Sequence, residues 1–231
     1  MQNITPSPRA KKLNYPFFSY FLARKHFPDV LVDKKCEKVF HEYFPQHYDF
    51  DKKRLKVDVR IQDSAVWAGI LADRFAVTNN EKDLEHAAHL VDFLITCQKE
   101  DGGYYKEGKV HYTCVIYLAK SIMEVMKEER KLAKQSTEWK NRYYRHLHSV
   151  DQAIADLERR LDDIETEGQQ TYEDGMISCS MTQLAMYALK TKDDKDRTRF
   201  VAAAEHLFNG HRSLTLHQHP DARVNGSTIR F

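Results

Sequence analysis

One pattern is written three times along this chain: an apolar helix, a polar turn, an amphipathic helix, and acidic Asp-Gly punctuation between units. The clearest copy occupies residues 62–105. Residues 64–77 (SAVWAGILADRFAV) are apolar on nearly every face, so this segment is expected as a helix enclosed by others. After Thr78-Asn79-Asn80, Leu84, Ala87, Ala88, Val91, Leu94 and Ile95 recur at steps of three and four. That spacing predicts a helix with one apolar stripe and a wet opposite face. The copy closes on Cys97-Gln98-Lys99-Glu100-Asp101-Gly102-Gly103-Tyr104-Tyr105. Repeats of this length stack as supersecondary units, because one hairpin cannot bury its own apolar face.

The second copy pairs residues 112–126 (YTCVIYLAKSIMEVM) with a long helix expected over about 130–167. In that helix Tyr143, Leu147, Val150, Ile154, Leu157, Leu161 and Ile164 follow heptad spacing. Two readings follow: a packed stripe on an extended outer helix, or a coiled-coil contact with a second copy through residues 139–164. The third copy opens on Tyr172-Glu173-Asp174-Gly175-Met176, continues through residues 177–189, and ends in an outer helix with a stripe of Phe200, Val201, Ala204, Leu207 and Phe208. Leu71-Ala72 aligns with Leu184-Ala185, and Thr78 with Thr191.

The flanks are less regular. Residues 1–61 are expected to form an N-terminal helical segment packing on the repeats, with one short helix broken by Pro28 and another over 34–43 stopped near Pro45. Leu55, Val57, Val59 and Ile61 alternate with polar residues, which suggests a short extended stretch. Residues 62–210 hold the three hairpins. Residues 211–231, with Pro220 and Asn225-Gly226, read as a polar loop or short hairpin.

The fold class expected is therefore all-α. With 36 basic against 34 acidic residues the net charge is +2, which favours neither nucleic acid nor a membrane surface as partner. No apolar run is long enough to span a bilayer, and the N-terminus lacks a secretory layout. Cys36, Cys97, Cys114 and Cys179 are widely spaced, as free thiols of a cytoplasmic protein would be.

Alternating apolar and amphipathic helices joined by the Gln98…Asp101-Gly102-Gly103-Tyr104 turn resemble the (α/α) toroids. Among these the six-hairpin glycosidases and related polysaccharide lyases, unsaturated glucuronyl hydrolases included, are the most similar. Terpenoid cyclases and protein prenyltransferases share such a turn, but their Asp-x-Asp-Asp motif and zinc ligands have no counterpart here. The resemblance implies a carbohydrate-active enzyme with an oligosaccharide held where the inner helices begin, and no cofactor or metal is expected from the motifs present. Three hairpins are fewer than such a ring normally contains.

Glycoside hydrolysis needs two carboxyl groups flanking the bond. The loops at the helix starts offer Asp63, Asp101 and Asp174 as catalytic carboxylates, with Trp67, Tyr104, Tyr105, His111, Tyr112 and Arg223 as substrate contacts. Each Asp has a competing use as a turn or cap residue. A lyase would instead draw on Tyr112 or His111 as base and Arg223 as charge neutraliser. A non-catalytic repeat module would use the heptad helix as its contact surface. His146 and His148 do not share a helix face, and His217-Gln218-His219 reads as a polar loop.

Overall fold

A computed structural model describes residues 14–29, 33–56, 61–106, 110–113, 122–167, 177, 184, 185, 187, 188 and 194–216. It is an all-α protein. Its described helices are α1 (Asn14–His26), α2 (Lys34–His47), α3 (Ile61–Thr78), α4 (Glu81–Cys97), α5 (Ile122–Leu132), α6 (Thr137–Glu167) and α7 (Asp194–Leu216). Two small antiparallel ribbons interrupt them: β1 (Tyr48–Asp49) with β2 (Arg54–Leu55), and β3 (Tyr105–Lys106) with β4 (Val110–His111). Among the described residues, no helix is long and apolar enough to cross a membrane.

Helix α3 lies at the centre. Every residue from Ser64 through Phe75 is buried, as a helix without a polar face requires, and α1, α4 and α5 pack around it. Its two buried charges are both partnered. Lys25 of α1 bridges Asp73 at 2.7 Å and Glu124 of α5 at 3.2 Å. Arg74 pairs with Asp83 across the α3–α4 turn and lies over the Phe40 ring. The turn forms as the sequence predicts: Thr78 Oγ1 donates back to the Arg74 carbonyl, and Asn79 takes the left-handed conformation at φ 56°.

Helices α1 and α2 cap one side of α3 with aromatic rings. Trp67 stands between Phe17, Phe40, Tyr43 and Phe44, with ring centroids 5.5–6.2 Å apart. Helix α2 does not stop before Pro45 but continues to His47. The Tyr48 N–H closes its last turn on the Phe44 carbonyl, so only the one bond that proline cannot donate is lost.

Contacts along α4 and α6 advance together. Asp92 meets Arg145 and His146, and Gln98, just past the end of α4, meets Ser149, farther along α6. The two amphipathic helices thus run in the same direction. The heptad stripe of α6 is used within the chain: Tyr143, Val150, Leu157 and Leu161 are buried against the core. Helix α7 buries Phe200, Ala203, Ala204 and Leu207 but leaves Val201 and Phe208 exposed, so its stripe is rotated from the expected one. It also continues to Leu216, which makes residues 211–216 helical rather than loop; residues 217–231 lie outside the described residues.

Candidate functional site

Because α3 and α4 form an antiparallel hairpin, the start of α3 and the end of α4 lie together, opposite the turn at Asn79. The described candidate carboxylates and loop contacts, Asp63, Asp101, Tyr104, Tyr105, His111 and Tyr112, belong to this end. Asp174 and Arg223 lie outside the described residues.

The Asp-Gly-Gly turn is held against α6 by its own sequence. Gln98 donates to the Gly102 carbonyl at 2.9 Å and the Ser149 carbonyl at 3.0 Å, and its Oε1 accepts from Ser149 Oγ at 2.7 Å. Gly102 sits at φ +88°, and a Cβ there would fall 2.2 Å from the Gln152 carbonyl oxygen. Only glycine satisfies both the angle and the approach.

Asp101 shapes the turn with both oxygens. Oδ1 accepts the Gly103 N–H at 2.8 Å, and Oδ2 accepts the Tyr105 hydroxyl at 2.9 Å and lies 3.8 Å from Arg159. The side chain is nevertheless 45% exposed. Its slight burial pushes the carboxyl pKa up, but the Gly103 and Tyr105 hydrogen bonds and the Arg159 charge outweigh that and leave it below the ordinary range. Asp101 is therefore a held, ionised carboxylate that still reaches solvent.

Behind it lies a carboxylate that sequence reasoning missed. Asp156 of α6 is fully buried and accepts from three donors: His111 Nε2 at 2.6 Å, Thr113 Oγ1, and Arg159. Thr113 in turn accepts the Tyr104 N–H at 2.9 Å. Arg159 touches both Asp156 and Asp101 and donates to the Asp101 carbonyl at 3.2 Å. The β3–β4 ribbon is thereby pinned to α6. The next residue, Tyr112, reaches the other way and donates to Gln62 at 2.9 Å, beside Asp63. The ribbon thus links the first turn of α3 to α6. Asp63 is half-buried there, and its charge adds to burial in raising the pKa of the Tyr43 hydroxyl.

The aromatic candidates divide by exposure. Trp67 is only 4% exposed, within the aromatic core, and Tyr104 is buried. Tyr105 and Tyr112 are half-buried, each with its hydroxyl bonded within the protein. His111 is buried against Asp156, edge-on to the Tyr105 ring. The signal for Asp156 and Arg159 is weak in one dimension: a carboxylate between Ala153 and Leu157 on a packed stripe, with a cation three residues on. Among the described residues, no group of three or more His, Cys, Asp or Glu side chains is placed to hold a metal ion.

Comparison with protein-family models, characterised proteins and solved structures finds no match to this chain.

Proposed function

We propose that this chain is a carbohydrate-active domain built from successive helical hairpins in the manner of an (α/α) toroid, hydrolysing an oligosaccharide at the end where α3 begins. The observation that carries this reading is Asp101: ionised, held in place by three neighbours, half-exposed, and flanked by the half-buried Tyr105 ring. Carboxylates accept bonds from sugar hydroxyls, and tyrosine rings cover sugar faces. The common direction of α4 and α6 supports the toroid part, since successive outer helices of such a ring run parallel.

In this reading Asp101 serves as base or nucleophile, because its pKa is held down. The general acid is Asp63 or Asp174. Asp156 acts only by positioning the ribbon, since all three of its donors belong to the protein. A screen of oligosaccharides and synthetic glycosides tests the proposal. Asp101→Asn keeps an acceptor for the Gly103 N–H, so melting should stay near wild type while kcat/KM falls about 10²–10⁴-fold. Hydrolysis unaffected by both Asp101→Asn and Asp63→Asn would remove the acid–base assignment.

A further inference from the structure

Along the second half of α4, an open pocket of about 590 Å³ gathers four cationic side chains with His89, Phe93, Thr96 and one carboxylate. Lys52, Lys53 and Arg54 enter from the β1–β2 hairpin, and Arg142 enters from α6. The hairpin is fixed in its approach. The Lys52 N–H donates to Asp49 Oδ1 at 2.9 Å, Lys53 takes a left-handed conformation at φ 52°, and the Arg54 guanidinium stacks 5.6 Å from the Phe93 ring centroid. Arg142 is likewise ordered, 5.2 Å over the Trp139 ring.

One carboxylate, Asp92, also lines the pocket, but its charge is already committed. Asp92 accepts from Arg145 and from His146 Nε2 at 3.0 Å, and Arg142 Nε lies 3.6 Å away. The His146 ring is fully buried and meets Glu129 through its other nitrogen at 2.9 Å. Four cations therefore line the opening, of which Lys52 lies 3.9 Å from Asp49 and Arg142 shares Asp92 with Arg145 and His146, so positive charge remains in excess. His89, on the same face of α4, reports that field: burial, then the Arg142 and Lys53 charges, push its pKa down to about 4. Its neutral ring keeps a donor to offer a ligand.

We infer that this pocket binds the phosphoryl group of a small phosphorylated metabolite, a sugar phosphate or a nucleotide. The volume suits a small molecule, and lysine and arginine arms from two separate elements suit a compact, multiply charged anion. A neutral sugar brings no counter-charge for the excess of cations, and an extended nucleic acid would need a longer basic track than the balanced net charge provides. The inference is independent of the hydrolase reading, because it concerns different residues and a binding readout.

The test is calorimetric titration of the full chain with pyrophosphate, glucose 6-phosphate and ADP, using glucuronate and a single-stranded oligonucleotide as controls. Lys52→Gln/Lys53→Asn removes two exposed charges, and asparagine tolerates the left-handed backbone at position 53, so the variant should melt like wild type. Pyrophosphate and at least one phosphorylated metabolite should bind wild type, and the double variant should weaken them by about tenfold or more, the loss of roughly one charge-assisted contact. Comparing glucose 6-phosphate with ADP then identifies the carrier of the phosphoryl group. Absence of binding by all three phosphates, binding unchanged in the double variant, or tighter binding of glucuronate or the oligonucleotide would each overturn the assignment.

Discussion

Replacing Asp156 by asparagine tests whether the ribbon is pinned to α6 through one buried carboxylate. Three donors converge on Asp156: the rigid Arg159 guanidinium, the His111 ring and the Thr113 hydroxyl. Arginine has no acceptor and cannot reverse, so the amide oxygen introduced by Asp156→Asn must face it. The new NH₂ then points at His111 and Thr113. Both can adapt, His111 by changing tautomer and Thr113 by turning its hydroxyl, whose oxygen has a lone pair left after accepting the Tyr104 N–H. The net loss is the charge assistance of two contacts, about 2 kcal/mol in total. Alanine instead strands the buried His111 and Thr113 donors, at about 1–3 kcal/mol each, while the half-exposed Arg159 keeps its contacts to Asp101.

For a chain of this length each kcal/mol lowers Tm by about 2–4 °C, so the asparagine variant should melt about 4–8 °C below wild type and the alanine variant clearly lower. Urea denaturation followed by circular dichroism gives the free energies. A loss below about 0.5 kcal/mol in both variants, the range of an ordinary surface substitution, would refute the pin. Equal losses in the two would refute the donor-by-donor account while keeping the site structural.

Three further outcomes follow from the same geometry. Gly102→Ala forces a left-handed alanine into the Gln152 carbonyl and should cost about 2–5 kcal/mol by thermal melting, more than Gly103→Ala, whose Cβ would meet chiefly side-chain atoms of Tyr105 and Asp156. Leu157→Asp places a charge where the side chain is 2% exposed, so loss of cooperative melting is expected, whereas Tyr144→Asp on the exposed face should leave both stability and sedimentation unchanged. Burial works against the charge on Asp92, but hydrogen bonds from His146 and Arg145 bring its pKa down to about 2. That shift contributes about 2 kcal/mol present above pH ~4 and lost as pH falls through about 2. His146 is the converse case: burial lowers its pKa, its bonds to Asp92 and Glu129 raise it further, and the stability it contributes below the ordinary histidine pKa is lost as pH rises through the raised value. Stability measured against pH should therefore have a shallower acid slope in Asp92→Asn and a shallower alkaline slope in His146→Gln.

The helices were legible where periodicity alone decides them. An all-apolar run followed by a three-four stripe predicts α3 and α4 within a few residues, because burial on all faces and on one face leave different patterns. The α7 stripe was harder: Ala203 is as consistent with a packed face as Val201, and only the neighbours choose between them. The heptad stripe of α6 shows the same limit, since its spacing says that one face is packed without saying against what. Asp156 was illegible for a stronger reason. Its donors His111 and Thr113 lie more than 40 residues away in the chain, joined to it only by the path of the ribbon.

That missing carboxylate also changes what the Asp-Gly-Gly turn means. Turn formation and chemistry compete as explanations only while Asp101 is considered alone. With Asp156 buried behind it, the work divides: Asp156 holds the ribbon, Gln98 and Gly102 hold the turn, and Asp101 is left with oxygens that shape the loop yet still reach water. Its contribution to the fold is largely preserved by asparagine, while its charge is not. Asp101→Asn and Asp156→Asn should therefore differ in kind, the first moving ligand chemistry with little change in melting, the second moving melting first. A turn built only for structure would give the reverse at Asp101: a stability loss and no effect on any saccharide.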